Sequence, residues 1–385
     1  MTPSRTIQYL DTLLAFPTVS RDSNLALIEF VRHELETLGV ESLLAPSEDG
    51  RKANMYATIG PADVPGVVLS GHTDVVPVEG QTWSSDPFAL TERGGKYYGR
   101  GSADMKGFIA ACLAMAHDAV KRKLKVPVHL AFSYDEEIGC VGVRRLLALL
   151  KDIAPRPRLC IVGEPTMMQV VTAHKGKIGA RVIAHGLEAH SSLAPMGVNA
   201  VYMALDLISE IRAVQADIIA NGAKDGDYDV AYTTLHAGNI AGGEVLNIVP
   251  NRCSFAFEIR HLPQDNPEPI MARIRAAADA ILAKAREVHP GAMFEWAPLA
   301  SYPALDTPAG GEAVNFVRAL TGGNSTGKIT FGTEGGLYQQ ELGVPAVVCG
   351  PGSIAVAHKP DEYISGEQLA ACDEMLAKLL DRLCK

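Results

Sequence analysis

The chain has 385 residues, too many for one compact core, so about two domains are expected. Hydrophobic residues make up 47% and charged residues 21%, the balance of a globular protein. With 35 basic and 44 acidic residues the formal net charge is −9, which argues against nucleic acid as a partner. No run of about 18 apolar residues occurs, so no membrane span is expected. Asp11 interrupts the apolar N-terminal stretch, so no signal peptide is expected either. The seven cysteines are scattered and form no CxxC pair, which points to a reducing, cytoplasmic setting and away from thiolate metal ligands.

The first segment reads as helices. Ile7, Leu10 and Leu14 recur at helical spacing, then Leu27, Val31, Leu35 and Leu38, with Gly39 as a stop. Short β-type runs follow at ANMYATIG and at 65–72, then a helix over about 106–122, a strand at 126–134, a helix at 141–150 and a strand at 158–164. Continuous apolar strands alternating with helices predict an α/β fold with a buried, mostly parallel sheet. After Gly176 the pattern changes. A half-exposed strand at 177–186, a helix at 199–214, strands at 233–240 and 253–262, a helix at 267–287 and a strand at 292–298 give the order β-α-β-β-α-β of a ferredoxin-like unit. The α/β style returns from about 299, with 344–352 as its clearest strand. The expected organisation is one domain of residues 1–178 and 292–385, interrupted by an α+β domain of residues 179–291.

Three buried strands run into groups that can hold a metal: His72-Thr73-Asp74, Asp135-Glu136-Glu137 and Glu164-Pro165. In open α/β sheets ligands bind at the carboxyl ends of strands, so these endings imply one crevice. Asp104 in GRGSADMKG and His358 after the last strand complete the set. Taken singly, each has a plainer role as a turn, a solvated loop residue or, for Asp104, a helix N-cap. Together His72, Asp104, Glu137, Glu164 and His358 offer the imidazole and carboxylate donors of a two-zinc site: one bridge and two ligands for each ion. Arg260 shares a polar strand face with Glu258 and is a candidate for a substrate carboxylate, with a salt bridge to Glu258 as the alternative. Asn247 and the loop of Gly332, Thr333 and Glu334 are further candidate substrate contacts. Glu334 suits a cationic side-chain amine, though a loop-stabilising role is equally open.

The stretches SGHTDVVP (70–77), WSSDPF (83–88), YGRGSADMKG (98–107), SYDEEIG (133–139), VGEPT (162–166), GLEAHSS (186–192) and AHKPDE (357–362) span nearly the whole chain. Through them the sequence resembles the M20 family of metallopeptidase-like deacylases. That resemblance implies a zinc-exopeptidase-type catalytic domain with two Zn2+ (Co2+ as substitute), and an inserted lid and dimerisation domain in a homodimer. It implies that Asp104 bridges the ions, that Glu137 and His358 complete the second ion's shell, and that Asp74 orients the His72 ring. Glu136 becomes the general base toward a metal-activated water, and His190 a donor to the oxyanion, with His185 as a nearby competitor. The stretches FPTVSRDSN (16–24), NIVPNRC (247–253), FGTEGGLYQ (331–339) and GPGSI (350–354) point within the family to hydrolysis of N-acetyl-L-ornithine, a step of arginine biosynthesis. Desuccinylation of succinyl-diaminopimelate, broader N-acyl amino acid hydrolysis, aminopeptidase activity and a non-catalytic binding protein are the competing readings.

Overall fold

The computed structural model describes residues 3–385, which form two compact units. The first comprises residues up to 174 together with 305–328 and 333–385; the second comprises 175–304 and 329–332. Among the described residues, no helix is long and apolar enough to cross a membrane.

The first unit opens with α1 (Arg5–Leu14), capped by the Ser4 hydroxyl, and α2 (Leu25–Thr37). The predicted periodic residues Leu10, Leu14, Leu27, Val31 and Leu35 are buried. Then come β1 (Ser42–Pro46), β2 (Ala53–Ile59), β3 (Val67–His72), the short β4 (Thr91–Arg93) and β5 (Lys96–Tyr98), and α3 (Gly107–Ala119). Every residue of α3 except Ala114, His117 and Asp118 is buried, as suits a helix apolar on nearly all sides. β6 (Val128–Ser133), α4 (Val143–Leu150), β7 (Leu159–Pro165) and β8 (Val170–His174) complete this stretch.

The second unit is β9 (Gly176–His185), α5 (Ala200–Asn221), β10 (Thr234–Gly242), β11 (Arg252–His261), α6 (Pro267–Val288) and β12 (Met293–Tyr302). Its sheet runs β10-β11-β9-β12 with every pair antiparallel. The predicted β-α-β-β-α-β order is therefore present, with the strand arrangement of a ferredoxin-like unit. Phe255, Phe257 and Ile259 of β11 face a core that also holds Leu207 and Ile274 from the two helices. The boundaries differ from the expected 179 and 291. β12 pairs with β9 from Met293 to Tyr302, and β9 itself starts at Gly176, so 175–178 and 292–304 belong with the inserted sheet.

The chain returns through β13 (Leu305–Asp306), α7 (Glu312–Thr321), β14 (Thr326–Ile329), α8 (Gly335–Leu342), β15 (Ala346–Gly350), β16 (Tyr363–Ser365) and α9 (Gly366–Leu383). The large sheet runs β1-β2-β6-β3-β7-β15-β8-β13. Only its centre, β6-β3-β7-β15, is parallel; β1, β2, β8 and β13 are added antiparallel. The parallel strands are buried along their whole length, as is β8 beside them.

His129 on β6 gives a test of the core. Its ring stacks on Tyr56 with centroids 5.2 Å apart, Nδ1 lies 2.9 Å from the Thr58 hydroxyl, and Nε2 has no partner. Burial lowers its pKa to about 4. The unfolded chain protonates it near the ordinary value of about 6.5, so its contribution to stability is complete above that pH. It is lost as pH falls from about 6.5 to about 4, by roughly 3 kcal/mol. His129→Gln is expected to flatten that acid slope in thermal midpoints measured across the window. Parallel curves for the two proteins would contradict the assignment.

Candidate active site

In the first unit the adjacent parallel strands β6, β3 and β7 end on one side of the sheet. β3 ends at His72, β6 leads directly into Asp135-Glu136-Glu137, and β7 carries Glu164 next to its last residue. Asp104 lies in the irregular turn Ser102–Lys106 before α3. Gly101, at φ +86°, opens that turn, and a Cβ there would sit 2.7 Å from Val75 Cγ1. His358 follows β15 in the left-handed region at φ +63°.

These residues converge. His72 Nε2 lies 3.0 Å from Asp104 Oδ1 and 3.7 Å from Glu164 Oε1. His358 Nε2 lies 3.2 Å from Asp104 Oδ2 and 3.0 Å from Glu137 Oε2. The two oxygens of Asp104 thus face two different imidazoles. His72, Glu136 and Glu164 form one group of donor atoms within 4.8 Å of one another, and His72, Asp104 and Glu137 form another. His72, Asp104 and Glu164 are buried, while His358 is half exposed at the edge.

The Nδ1–H of His72 donates to the backbone carbonyl of Asp74 at 2.9 Å, so Nε2, which faces Asp104, is the nitrogen that would bind a metal. Asp74, expected to orient this ring, meets it through its main-chain carbonyl. Its Oδ1 is 3.6 Å from the ring nitrogen, and the carboxylate has other work. It accepts the backbone N–H groups of Glu136 at 3.0 Å and Glu137 at 3.3 Å, and the Ser20 hydroxyl at 2.7 Å. Asp74 therefore fixes the acidic turn, a function its spacing from His72 does not reveal.

Burial, followed by the neighbouring carboxylates, pushes Glu164 well above the usual carboxylate range. Burial and the like charge of Glu137 also raise Glu136, and burial and Asp104 raise Glu137. For Asp104 burial acts in the same direction but is outweighed by hydrogen bonds from His358 and His72, which hold it low. His72 is raised by Asp104 and Glu164 against its burial. Buried acids outnumber the imidazoles beside them, and such a donor set fits divalent cations that neutralise it.

Glu136 differs from Glu137 in direction. Its Oε1 accepts from the Cys140 thiol at 3.2 Å, while its carbonyl accepts the backbone N–H groups of Gly139 and Cys140. Cys140 escaped the sequence reading, although its place four residues beyond Glu136, just after Gly139, was the available signal.

Two predicted substrate contacts of this unit are corrected. Thr333 is fully buried; its hydroxyl accepts from the Gly335 N–H at the start of α8, and its own N–H points at His174 Nε2. Glu334 is also buried, its carboxylate taken by the hydroxyls of Ser70 at 3.1 Å and of Ser133. Both of its oxygens are thus engaged in the interior beneath β3 and β6, away from solvent.

In the second unit His190 is exposed. Its Nδ1 accepts from the Ser192 N–H at 3.2 Å, so Nε2 carries the proton. The carbonyl of Asn247 accepts from the Ser191 N–H at 2.9 Å, which brings Asn247 beside His190. His185, the competing histidine, is paired with Glu295 at 3.0 Å. Arg260 donates through Nε to Glu258 at 2.9 Å and through Nη1 to the Tyr302 hydroxyl, so the salt-bridge alternative is the arrangement present. Glu258 also meets Lys177 at 3.0 Å, which leaves one positive charge in excess. Arg260 and Lys175 line a cavity of about 280 Å³ with Thr234, Thr330 and Phe331. Gly332 lies against the Tyr302 ring, where a Cβ would come within 1.9 Å of it.

The chain matches the family model for the peptidase family M20/M25/M40 over residues 68–382. It is 33% identical to the acetylornithine deacetylase of Pasteurella multocida (strain Pm70) over 98% of both chains. It is also 33% identical to that of Shigella sonnei (strain Ss046), over 98% of this chain and 97% of the relative. In fold it is similar to the M20 family metallo-carboxypeptidase Sso-CP2 from Sulfolobus solfataricus, with TM-score 0.81 and 20% identity over 99% and 100% of the chains. A Bacillus subtilis structure described as a dinuclear metal binding peptidase from the M20 family superimposes with TM-score 0.68 and 17% identity over 98% and 96%. A family match over most of the sequence, with full-length relatives at this identity, means that the chain belongs to the peptidase family M20/M25/M40.

Proposed function

We propose that this amidohydrolase cleaves N2-acetyl-L-ornithine to L-ornithine and acetate, using two divalent cations, zinc or cobalt, held by His72, Asp104, Glu137, Glu164 and His358. The observation that carries the metal reading is the Asp104 carboxylate, which turns one oxygen toward His72 and the other toward His358 as a bridge between two ions does. The substrate reading rests on the full-length relatives named acetylornithine deacetylase. Divalent cations held by these residues would supply a Lewis acid for the acetyl carbonyl and a water of lowered pKa.

The chain's own groups do the rest. Glu136 takes the proton from the attacking water and passes it to the departing α-amine. Asp74 keeps Glu136 and Glu137 in place through their backbone N–H groups. His190 offers its Nε2–H to the oxyanion that forms at the acetyl carbon. Arg260, in the positively charged cavity of the second unit, takes the α-carboxylate, and Asn247 assists beside His190. The inserted unit serves as a lid and as the contact surface of a homodimer, and the enzyme works in the cytoplasm.

His190→Ala is expected to lower kcat by about 10²–10³-fold, the loss typical of one oxyanion donor. Its bound-metal stoichiometry should equal wild type; loss of metal in parallel with activity would remove His190 from this role. The substrate assignment is tested by kcat/KM for N-acetyl-L-ornithine beside N-succinyl-diaminopimelate and N-acetylmethionine. A preference for acetylornithine is expected. Higher activity on either of the others would keep the chemistry and replace the substrate.

A further inference from the structure

Three segments marked in the sequence have no part in the chemistry above: the Trp83 region, Arg100 two residues before Ser102, and Glu362 at the end of the His358 loop. The structure gathers them into one buried network. Arg100 and Glu362 are each 1% exposed and are paired, Nη1 to Oε2, at 2.6 Å. The other oxygen of Glu362 accepts two backbone N–H groups, from Ala103 at 2.9 Å and from Asp104 itself at 3.1 Å. The second terminal nitrogen of Arg100 donates to Gln81 Oε1 at 2.7 Å, and Trp83 Nε1–H donates to the same oxygen at 3.1 Å. Gln81 in turn gives an Nε2–H to the carbonyl of His358 at 2.9 Å.

We infer that Glu362, Arg100 and Gln81 are positioning residues, a clamp that sets the distance between Asp104 and His358 and so the affinity for the cation those two share. The clamp ends on the backbones of both residues, one through Glu362 and one through Gln81. His358 needs such support: its side chain is half exposed and its backbone is in the left-handed region, which a residue other than glycine keeps only when its surroundings hold it. A buried ion pair is also a weak means of gaining stability, because desolvation of both charges offsets their attraction. What it supplies here is direction: each hydrogen-bonding atom of Glu362 has a defined partner, and one of them is the amide of the bridging residue.

The inference rests on Asp104 and His358 being metal ligands, so the test carries a control for that reading. The full chain is stripped of metal, and Zn2+ affinity is measured by competition with a chromophoric chelator for wild type, Gln81→Ala, Glu362→Gln and His358→Ala, with thermal midpoints alongside. Gln81 lies in a partly exposed loop, so its variant folds independently of how Glu362→Gln fares. Gln81→Ala is expected to weaken one of two zinc sites by about 10–100-fold, the usual effect of losing a group that orients a ligand, with an unchanged midpoint. Glu362→Gln is expected to weaken both sites, because Asp104 serves both. If His358→Ala loses a site while Gln81→Ala and Glu362→Gln bind both ions as wild type does, the clamp is wrong and the ligand reading stands. If His358→Ala binds both ions normally, the ligand reading itself fails.

Discussion

Glu136→Gln is expected to lower kcat by about 10²–10⁴-fold, the range for loss of a positioned general base, while two cations stay bound. The substitution keeps the length of the side chain, its backbone tie to Asp74 and an oxygen for the Cys140 thiol, so the turn 136–140 has no reason to move. What disappears is the ability to take a proton. Stability should not suffer, because a part-buried acid that burial and Glu137 already disfavour in its charged form becomes a neutral amide. Steady-state kinetics, metal analysis and a thermal melt on one preparation check all three points. Turnover close to wild type would remove Glu136 as the base.

Asp104→Asn should be more damaging at the level of metal binding. One carboxylate faces His72 and His358 with separate oxygens, and an amide can present only one oxygen as a ligand. Bound metal is expected to fall below two per chain. Losing one cation's share of transition-state stabilisation is worth several kcal/mol. At about 1.4 kcal/mol per factor of ten, kcat/KM should fall by roughly 10³-fold. The main-chain support from Glu362 reaches the Asp104 amide and not its side chain, so the turn itself should stay folded. Two ions per chain in this variant would show that the bridge lies elsewhere.

The cluster of imidazole and carboxylate donors was legible because it follows a local rule. An uninterrupted apolar strand that stops at an imidazole or a carboxylate delivers that group to the end of the sheet, and His72, Glu137 and Glu164 all obey it. His358 and Asp104 sit in glycine-containing loops that bring them to the same place. The inserted unit was legible from the alternation in β11, where Phe255, Phe257 and Ile259 are buried between half-exposed neighbours. Strand direction was less so: periodicity reports which face of a strand is buried and not whether its neighbour runs alongside or opposite, so the antiparallel additions at β1, β2, β8 and β13 were hidden. The fate of Glu334 depended on Ser70 and Ser133, whose hydroxyls meet it across more than 200 residues of sequence. Glu362 was hidden in the same way, since its partners Arg100, Ala103 and Asp104 lie about 260 residues earlier. Arg260 was the reverse case. Its partner Glu258, two residues away on the same face, was visible, and the pairing followed.

The most direct measurement is acetate release from N-acetyl-L-ornithine by metal-free protein titrated with Zn2+, and in parallel with Co2+. No turnover is expected without metal, followed by a rise that levels off at two ions per chain. Turnover undiminished by removal of metal, or none on this substrate or the other acyl amino acids with two ions bound, would contradict it.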